Sequence, residues 1–137
     1  MKTAFKVWDT DENKMRYDCA LSSDGIVQAG WGKDKYNWIP LFSTQEEAKN
    51  GTMYECDILN KEVIIYWDYD NYMFRVKAIT EESDHTMNNI SLAQWYENHY
   101  DYDNLINNII ITGNRYETPE QITITEAEYI LTKDDWE

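Results

Sequence analysis

The side chains of this chain that could do chemistry are mainly carboxylates, and some of them recur in Asp-x-Asp pairs. Three such pairs occur, at Asp9/Asp11, Asp68/Asp70 and Asp101/Asp103. Two acids at alternate positions can supply oxygen ligands to a calcium ion. A calcium-binding EF-hand loop also requires glycine at its sixth position and an acid at its twelfth, and every pair lacks both. The spacing therefore favours ordinary turn acids over metal ligands.

Two histidines extend the search for a metal site. His85 follows one short run of acids and His99 precedes another, so these carboxylates could complete a zinc or manganese site. Neither histidine belongs to an H-E-x-x-H motif or to another spacing of zinc ligands. We therefore expect a solvated loop histidine, a histidine on a helix surface, and no metal or other cofactor.

Signatures of catalysis are missing from the sequence. It has only five glycines and contains no G-x-S-x-G, Walker or Rossmann pattern. Cys19 and Cys56 form no C-x-x-C motif, which predicts two reduced thiols in an intracellular protein. Glu12-Asn13-Lys14 has the acid and lysine spacing of a metal-dependent nuclease, but it lies in a predicted polar turn. The sequence predicts that the protein is not an enzyme.

The charge is distributed very unevenly along the chain. The net charge is −14; the first fifty residues carry eight acids and seven bases, whereas residues 51–137 carry eighteen acids and five bases. Between Lys77 and Arg115 there is no basic residue, although six acids lie there. Such a field repels nucleic acid and anionic membrane, and it attracts basic protein surfaces.

Aromatic residues are abundant, with eleven Tyr, six Trp and three Phe. Some could form a platform on which bases stack: Tyr36, Trp38, Trp67, Tyr72 and Phe74. A platform for single strands also needs a basic groove, and only Arg75 and Lys77 lie near these residues in the sequence. We therefore favour a barrel core with partner contacts over direct nucleic-acid binding.

Short strands must position these residues in the first half of the chain. Alternating polarity predicts a strand over 4–8 and a return strand over 15–21, and Asp24-Gly25 predicts a tight hairpin turn. Ser43 and Glu46 have the spacing of a capping box, which predicts one or two helical turns ended by Asn50-Gly51.

The second half contains the clearest hairpin. It joins residues 63–68, which are apolar on both faces and typical of a central strand, to residues 72–78. A second capping box at Ser91 and Gln94 predicts a short helix. Further elements are a strand over 108–112, a strand over 122–124 and a last helical turn or two within 125–131.

Three segments together resemble the YopX-like family of phage and prophage proteins. M-Y-E-C-D-I at 53–58 resembles that family's I-Y-E-G-D-I, and G-N-R-Y-E-T-P-E at 113–120 resembles its G-N-I-Y-E-N-P-E. F-K-V-W-D at 5–9, followed by Lys14-Met15, is similar to its F-R-V-W-D opening and later K-M. The three matches occur in the family's order and span nearly the whole chain.

The resemblance implies an SH3-like small barrel from about Tyr54 to Tyr116, preceded by an N-terminal β-rich part. It implies a mobile-element origin and brings no established activity. Cys56 stands where the family usually has glycine, so a positive φ there would strain the chain or alter the turn. The acidic insert around 80–104 is longer than the family norm, so the family gives it no role.

These observations predict a mainly β (α+β) protein, with an N-terminal β-rich segment over 1–50 and an SH3-like barrel with acidic insert and C-terminal extension over 51–137, forming one compact unit. A chain of 137 residues suits one such domain. The polar residues within 1–9 interrupt the apolar run that a signal peptide needs, and no apolar run is long enough to span a membrane. We therefore expect a cytoplasmic protein of a bacterial host cell.

The predicted function is that of a non-enzymatic phage or prophage accessory protein that binds a basic host protein through its acidic surface. By mimicking phosphates, that surface could inhibit a nucleic-acid-binding host or defence protein. The predicted contact residues are Glu81, Glu82, Asp84, Glu97, Tyr100, Asp101, Tyr102 and Asp103. The alternatives are a structural or assembly protein that forms homo-oligomers through exposed aromatics, a nucleic-acid-associated small barrel, and an acidity that serves solubility alone.

Overall fold

The structure is a computed structural model that describes residues 5–30, 33–80, 89–99 and 109–123. It is mainly β, with a curled half-barrel sheet and short helices, which confirms the predicted fold class. The strands are β1 Phe5–Asp9, β2 Lys14–Arg16, β3 Ala20–Leu21, β4 Val27–Gln28, β5 Asp34–Lys35, β6 Ile39–Ala48, β7 Gly51–Tyr54, β8 Asp57–Leu59, β9 Val63–Asp68, β10 Met73–Ala78, β11 Ile90–Ser91 and β12 Ile111–Asn114. Within these described residues, one α-helix, α1, covers Leu92–His99, and a 3-10 turn covers Pro119–Gln121.

The strands of the described part of the chain form three sheets. The largest has the order β11-β10-β9-β8-β12, the second has the order β2-β1-β6-β7, and a small one has the order β3-β4-β5. The hairpin predicted from residues 63–68 and 72–78 is β9 and β10, which pair antiparallel from Met73↔Asp68 to Ala78↔Val63. Strand β9 is the middle strand of the largest sheet, as its apolar pattern predicts.

Strand β9 is central because its side chains alternate between two hydrophobic clusters. Val63 and Ile65 belong to a cluster that also contains Val76 and the fully buried Trp95 of α1. The intervening Ile64 and Tyr66 belong to a different cluster. Period-two alternation places these two sets on opposite faces of the strand, so both faces of the sheet are covered.

One prediction is wrong in the sheet with the order β2-β1-β6-β7. The segment 43–46, predicted as a helical start, lies inside the ten-residue strand β6. Ser43 Oγ accepts from the backbone N–H of Gln45 at 3.0 Å, and Thr44 Oγ1 accepts from that of Glu46 at 3.1 Å. Each hydroxyl thus accepts the N–H two residues ahead, as a serine or threonine turn does, and the residues that follow continue as a strand. The bonds accompany a break in register between Ser43 and Glu47, with Gln45 at φ 69°.

Other predicted elements differ in their limits. The return strand predicted over 15–21 is divided between β2 and β3, and the strand predicted over 108–112 is β12, which begins at Ile111. Residues 122 and 123 form no strand, although the Thr123 N–H donates to the Ile79 carbonyl at 2.7 Å. The helical turns predicted within 125–131 lie outside the described residues.

The short helix α1 begins as predicted. Ser91 Oγ accepts the backbone N–H of Gln94 at 3.0 Å, which is the bond that a serine N-cap makes. Leu92 and Trp95 face the core, and their burial holds the helix against the largest sheet. No helix in the described part of the chain has the length and apolar character that a membrane crossing requires.

A buried ion pair joins the first strand to the largest sheet. Lys6 Nζ of β1 donates to Asp57 Oδ1 of β8 at 2.8 Å, and the two side chains are 6% and 1% exposed. Asn114 Nδ2 donates to the same oxygen at 2.9 Å, and the backbone N–H of Tyr54 donates to Asp57 Oδ2 at 2.8 Å. Lys6 Nζ also lies 4.7 Å from the centre of the Tyr54 ring. These contacts offset the cost of burying two charges.

Candidate functional site

The feature that best fits a functional site is a cleft with a volume of about 340 Å³, in the lower part of the range for ligand-binding pockets. We call it the aromatic cleft, because four of its six lining residues are aromatic. The lining residues are Phe42, Ser43, Glu55, Trp67, Tyr69 and Phe74.

The hairpin of β9 and β10 supplies the more buried aromatic residues of the cleft. Trp67 and Phe74 are partners across the two strands, so their side chains emerge on the same face. Their ring centres lie 4.8 Å apart at an interplanar angle of 68°, an edge-to-face contact. Both residues are half-buried, whereas Tyr69, in the turn that follows β9, is 52% exposed.

Strand β6 and the turn between β7 and β8 supply the opposite part of the cleft. The Phe42 N–H donates to Glu55 Oε1 at 2.8 Å, and the Glu55 N–H donates to the Phe42 carbonyl at 2.9 Å. These two bonds hold the Glu55 carboxyl in one position beside the strand. The Phe42 ring is 45% exposed and packs near Phe5, with their ring centres 6.2 Å apart.

The environment of Glu55 is unfavourable for a negative charge. Burial in the aromatic cleft raises its pKa from 4.5 to about 7, and the hydrogen bond from the Phe42 N–H opposes this shift only in part. Among the described residues, no lysine or arginine contributes to lowering this pKa. The carboxylate is therefore held among apolar rings without a described counter-ion. A cation that enters the cleft would neutralise the negative charge of the Glu55 carboxylate.

The arginine nearest to the cleft in sequence has other partners. Arg75 follows Phe74 in β10, so its side chain points to the other face of the strand. Its Nε donates to Asp68 Oδ2 at 2.6 Å, and its Nη1 donates to the carbonyl of Asn89. Asp68 is fixed in turn by the Asn71 side chain and by two backbone N–H groups, and these bonds lower its pKa. This network leaves Arg75 engaged outside the cleft.

The structure separates the aromatic residues that the sequence suggested as a stacking platform. Trp67 and Phe74 do meet, but Trp38 is 7% exposed and packs in another cluster with Val7 and Val27. Arg16 Cζ and Lys35 Nζ lie 5.0 and 5.2 Å from the centre of its ring. Tyr36 and Tyr72 are 74% and 80% exposed. Of the predicted platform, the Trp67 and Phe74 pair alone lines the aromatic cleft.

One of the eight predicted partner-binding residues falls in the described part of the chain. Glu97 is exposed on α1, consistent with a surface position. The other seven lie outside the described residues: Glu81, Glu82, Asp84, Tyr100, Asp101, Tyr102 and Asp103. His85 also lies outside them, and the side chain of His99 is not described. The acidic surface predicted from this stretch stays a prediction.

Two of the three Asp-x-Asp pairs lie in described turns, where their first members cap the backbone. Asp9 Oδ1 accepts the N–H groups of Asp11 and Glu12 at 2.8 and 3.1 Å, and Arg16 Nε donates to Asp9 Oδ2 at 2.7 Å. Asp68 plays the same part in its hairpin turn, where its Oδ1 accepts the Asp70 N–H at 2.9 Å. These bonds agree with turn acids. Within residues 5–30, 33–80, 89–99 and 109–123, no group of three His, Cys, Asp or Glu side chains is arranged to hold a metal ion.

Cys56, which stands where the YopX-like family usually has glycine, has a positive φ. Its φ is 69°, and its side chain is buried beside Ile58 and Ile64 in the core. A non-glycine residue in this region costs about 1–2 kcal/mol. Burial raises the pKa of the Cys56 thiol well above its usual range, so the thiolate is disfavoured. Cys56 is therefore a strained core residue next to Glu55.

The sequence suggests two of the four aromatic residues of the cleft, Trp67 and Phe74, as part of a stacking platform. It does not point to Phe42, Tyr69 or Glu55. The acid belongs to the segment 53–58 that carries the family resemblance, and nothing in its local pattern marks it as half-buried. The signal is visible only when β6 is placed beside β7, because the Phe42 backbone then fixes the carboxyl.

No protein-family model matches the chain, and no curated protein matches it. The resemblance to the YopX-like family thus stays a prediction, without support from either comparison.

Proposed function

We propose that this protein is a non-enzymatic binding module that docks on a positively charged surface of another protein. The observation that carries the proposal is the Glu55 carboxyl, held in an aromatic cleft with no described cation to balance it. A partner that inserts a cation would replace the lost hydration of this carboxylate with a direct charge interaction. The aromatic rings around it supply rigid contact area at low entropic cost.

The excess of eighteen acids over five bases in residues 51–137 supports the same proposal. Such a field raises the association rate with a basic partner and suppresses binding to nucleic acid. In the more specific form of the proposal, the protein is a phage or prophage accessory protein. Its partner is then a nucleic-acid-binding protein of a bacterial host, and spaced carboxylates such as Asp101 and Asp103 occupy sites shaped for phosphates.

Affinity capture from a bacterial lysate, eluted along a salt gradient, tests this function with two charge-reversal variants. In one, Asp101→Lys and Asp103→Lys change the positive-free stretch. In the control, Asp18→Lys and Asp24→Lys change two exposed acids in the part of the chain where charge is nearly balanced. We expect a basic protein that elutes as salt rises, and at least about tenfold weaker binding to the first variant alone.

Equal loss in both variants would mean that net charge, and not a particular surface, is responsible. Retention of the partner by both variants without salt dependence would contradict the proposal. Self-association is the second candidate, because Tyr36 and Tyr72 expose most of their surface. Light scattering behind a sizing column separates the two, since self-association predicts a concentration-dependent mass without any added partner.

A further inference from the structure

The aromatic cleft has a composition that selects among cations. Trp67, Tyr69, Phe74 and Phe42 present aromatic rings, and Glu55 adds one carboxylate to them. Aromatic faces attract cations through the ring quadrupole, and tryptophan does so most strongly. Clefts that combine several rings with a small number of acceptors suit alkylated ammonium groups, whose charge is spread over an apolar surface.

The hydrogen-bonding groups of the cleft suit a cation that brings no donors. A lysine ammonium brings three donors and an arginine guanidinium brings five, and each donor must find an acceptor when water is removed. The side-chain oxygen acceptors that line the cleft are those of Ser43, Glu55 and Tyr69, and Ser43 Oγ and Glu55 Oε1 each already accept one backbone N–H. A trialkylammonium needs none of the remaining acceptors, and its charge still neutralises Glu55.

We propose that the aromatic cleft is a binding site for an alkylated ammonium group, carried on a methylated lysine side chain of a partner protein. This proposal rests on the proposed function, which makes the partner a positively charged protein. The half-exposed rings of Phe42 and Tyr69 leave the cleft open for a side chain to enter from a separate chain. Trp67 and Phe74 then contact the methyl groups, and Glu55 supplies the opposite charge.

The test is calorimetric titration of the full chain at about pH 8, where the Glu55 carboxyl is ionised, with short capped peptides that are otherwise uncharged. One peptide carries trimethyllysine, one carries unmodified lysine, and one carries a neutral isostere in which carbon replaces the ammonium nitrogen. We expect the trimethyllysine peptide to bind about tenfold more tightly than the isostere and several-fold more tightly than lysine. Equal binding of the isostere would overturn the proposal, because the cleft would then be a merely apolar groove.

Variants of the protein test the roles of single residues. Glu55→Gln keeps the shape and the acceptor for the Phe42 N–H but removes the charge, and we expect it to lower affinity for trimethyllysine about tenfold while leaving the isostere unaffected. Tyr69→Ala should also weaken binding, and since Tyr69 is 52% exposed the fold should survive. Glu46→Gln, an exposed acid on the same strand as Phe42, is the matched control and should bind like wild type. Wild-type affinity in Glu55→Gln would overturn the assignment.

Two further outcomes separate this proposal from its neighbours. If free choline binds more tightly than the trimethyllysine peptide, the ligand is a small alkylammonium molecule and not a protein side chain. The proposal that a partner protein carries the alkylammonium group would then be wrong. If no peptide binds at millimolar concentration, yet a basic partner is still captured in a way that depends on Asp101 and Asp103, the inference about the cleft is wrong. The proposed function would then lose its support from Glu55 and would rest on the negative charge of residues 51–137.

Discussion

Replacing Glu55 with glutamine should stabilise the protein at alkaline pH and leave it unchanged in mild acid. Glutamine has the shape of glutamate and can accept the same N–H bond from Phe42. It carries no charge at any pH. The difference in stability between the two proteins therefore isolates the free energy of ionising one carboxyl inside the aromatic cleft.

The magnitude follows from the shift in pKa. The pKa of Glu55 is raised from 4.5 to about 7, and each pKa unit corresponds to ~1.4 kcal/mol, which gives about 3 kcal/mol. Because the folded-state pKa is the higher one, the folded protein holds the Glu55 proton more tightly than the unfolded chain does. The stability that this protonated carboxyl contributes is fully present below pH 4.5. It falls as the pH rises, because the unfolded chain ionises first, and it is lost above about pH 7. Glu55→Gln should thus match wild type near pH 4.5 and exceed it by up to about 3 kcal/mol at pH 8.

The assay is urea unfolding, followed by tryptophan fluorescence, of wild type and Glu55→Gln at four values of pH between about 5 and 8. Other groups titrate in both proteins, so their effects cancel in the difference. Glu46→Gln, which changes an exposed acid of β6, should show a difference that varies little with pH. A constant difference for Glu55→Gln across this range, or a loss of stability at pH 8, would refute the argument that Glu55 is ionised at a cost.

Three further predictions concern the framework of the cleft. Lys6→Met should destabilise the fold by about 3–5 kcal/mol, because it leaves the Asp57 carboxylate buried without its partner. Lys14→Met removes one member of an exposed pair and should cost at most about 1 kcal/mol in the same urea experiment. Equal losses would show that the buried pair contributes no more to stability than the exposed one. At Cys56, with φ 69°, glycine should be more stable than alanine by about 1 kcal/mol by thermal unfolding, and the reverse order would mean that the backbone relaxes there. Ser91→Ala should cost about 1 kcal/mol through loss of the N-cap of α1, and an unchanged unfolding midpoint would show that the cap is dispensable.

Local signals in the sequence predict the elements that local chemistry determines. The alternation of residues 63–68 predicts a central strand because apolar residues on both faces need cover on both faces, and β9 has it. The serine at position 91 predicts the start of α1. The same spacing of a serine and an acceptor three residues later misleads at 43–46. There the pairing of Ser43 and Glu47 with β7 keeps the segment in a strand, and the hydroxyls stabilise a bulge instead. Glu55 cannot be recognised from sequence, because its environment is created by residues from three separate segments of the chain.

Direct titration of the Glu55 carboxyl is the measurement that most closely tests the central claim. That claim is that the ionised carboxyl is destabilised in the free protein and is stabilised by a cation of a partner. Carbon-detected NMR of the labelled side chain, assigned with the Glu55→Gln variant, gives its pKa with and without tetramethylammonium. We predict a pKa of about 7 in the free protein and a lower value when the cation is present. A pKa near 4.5 in the free protein, or one that the cation leaves unchanged, would contradict the account.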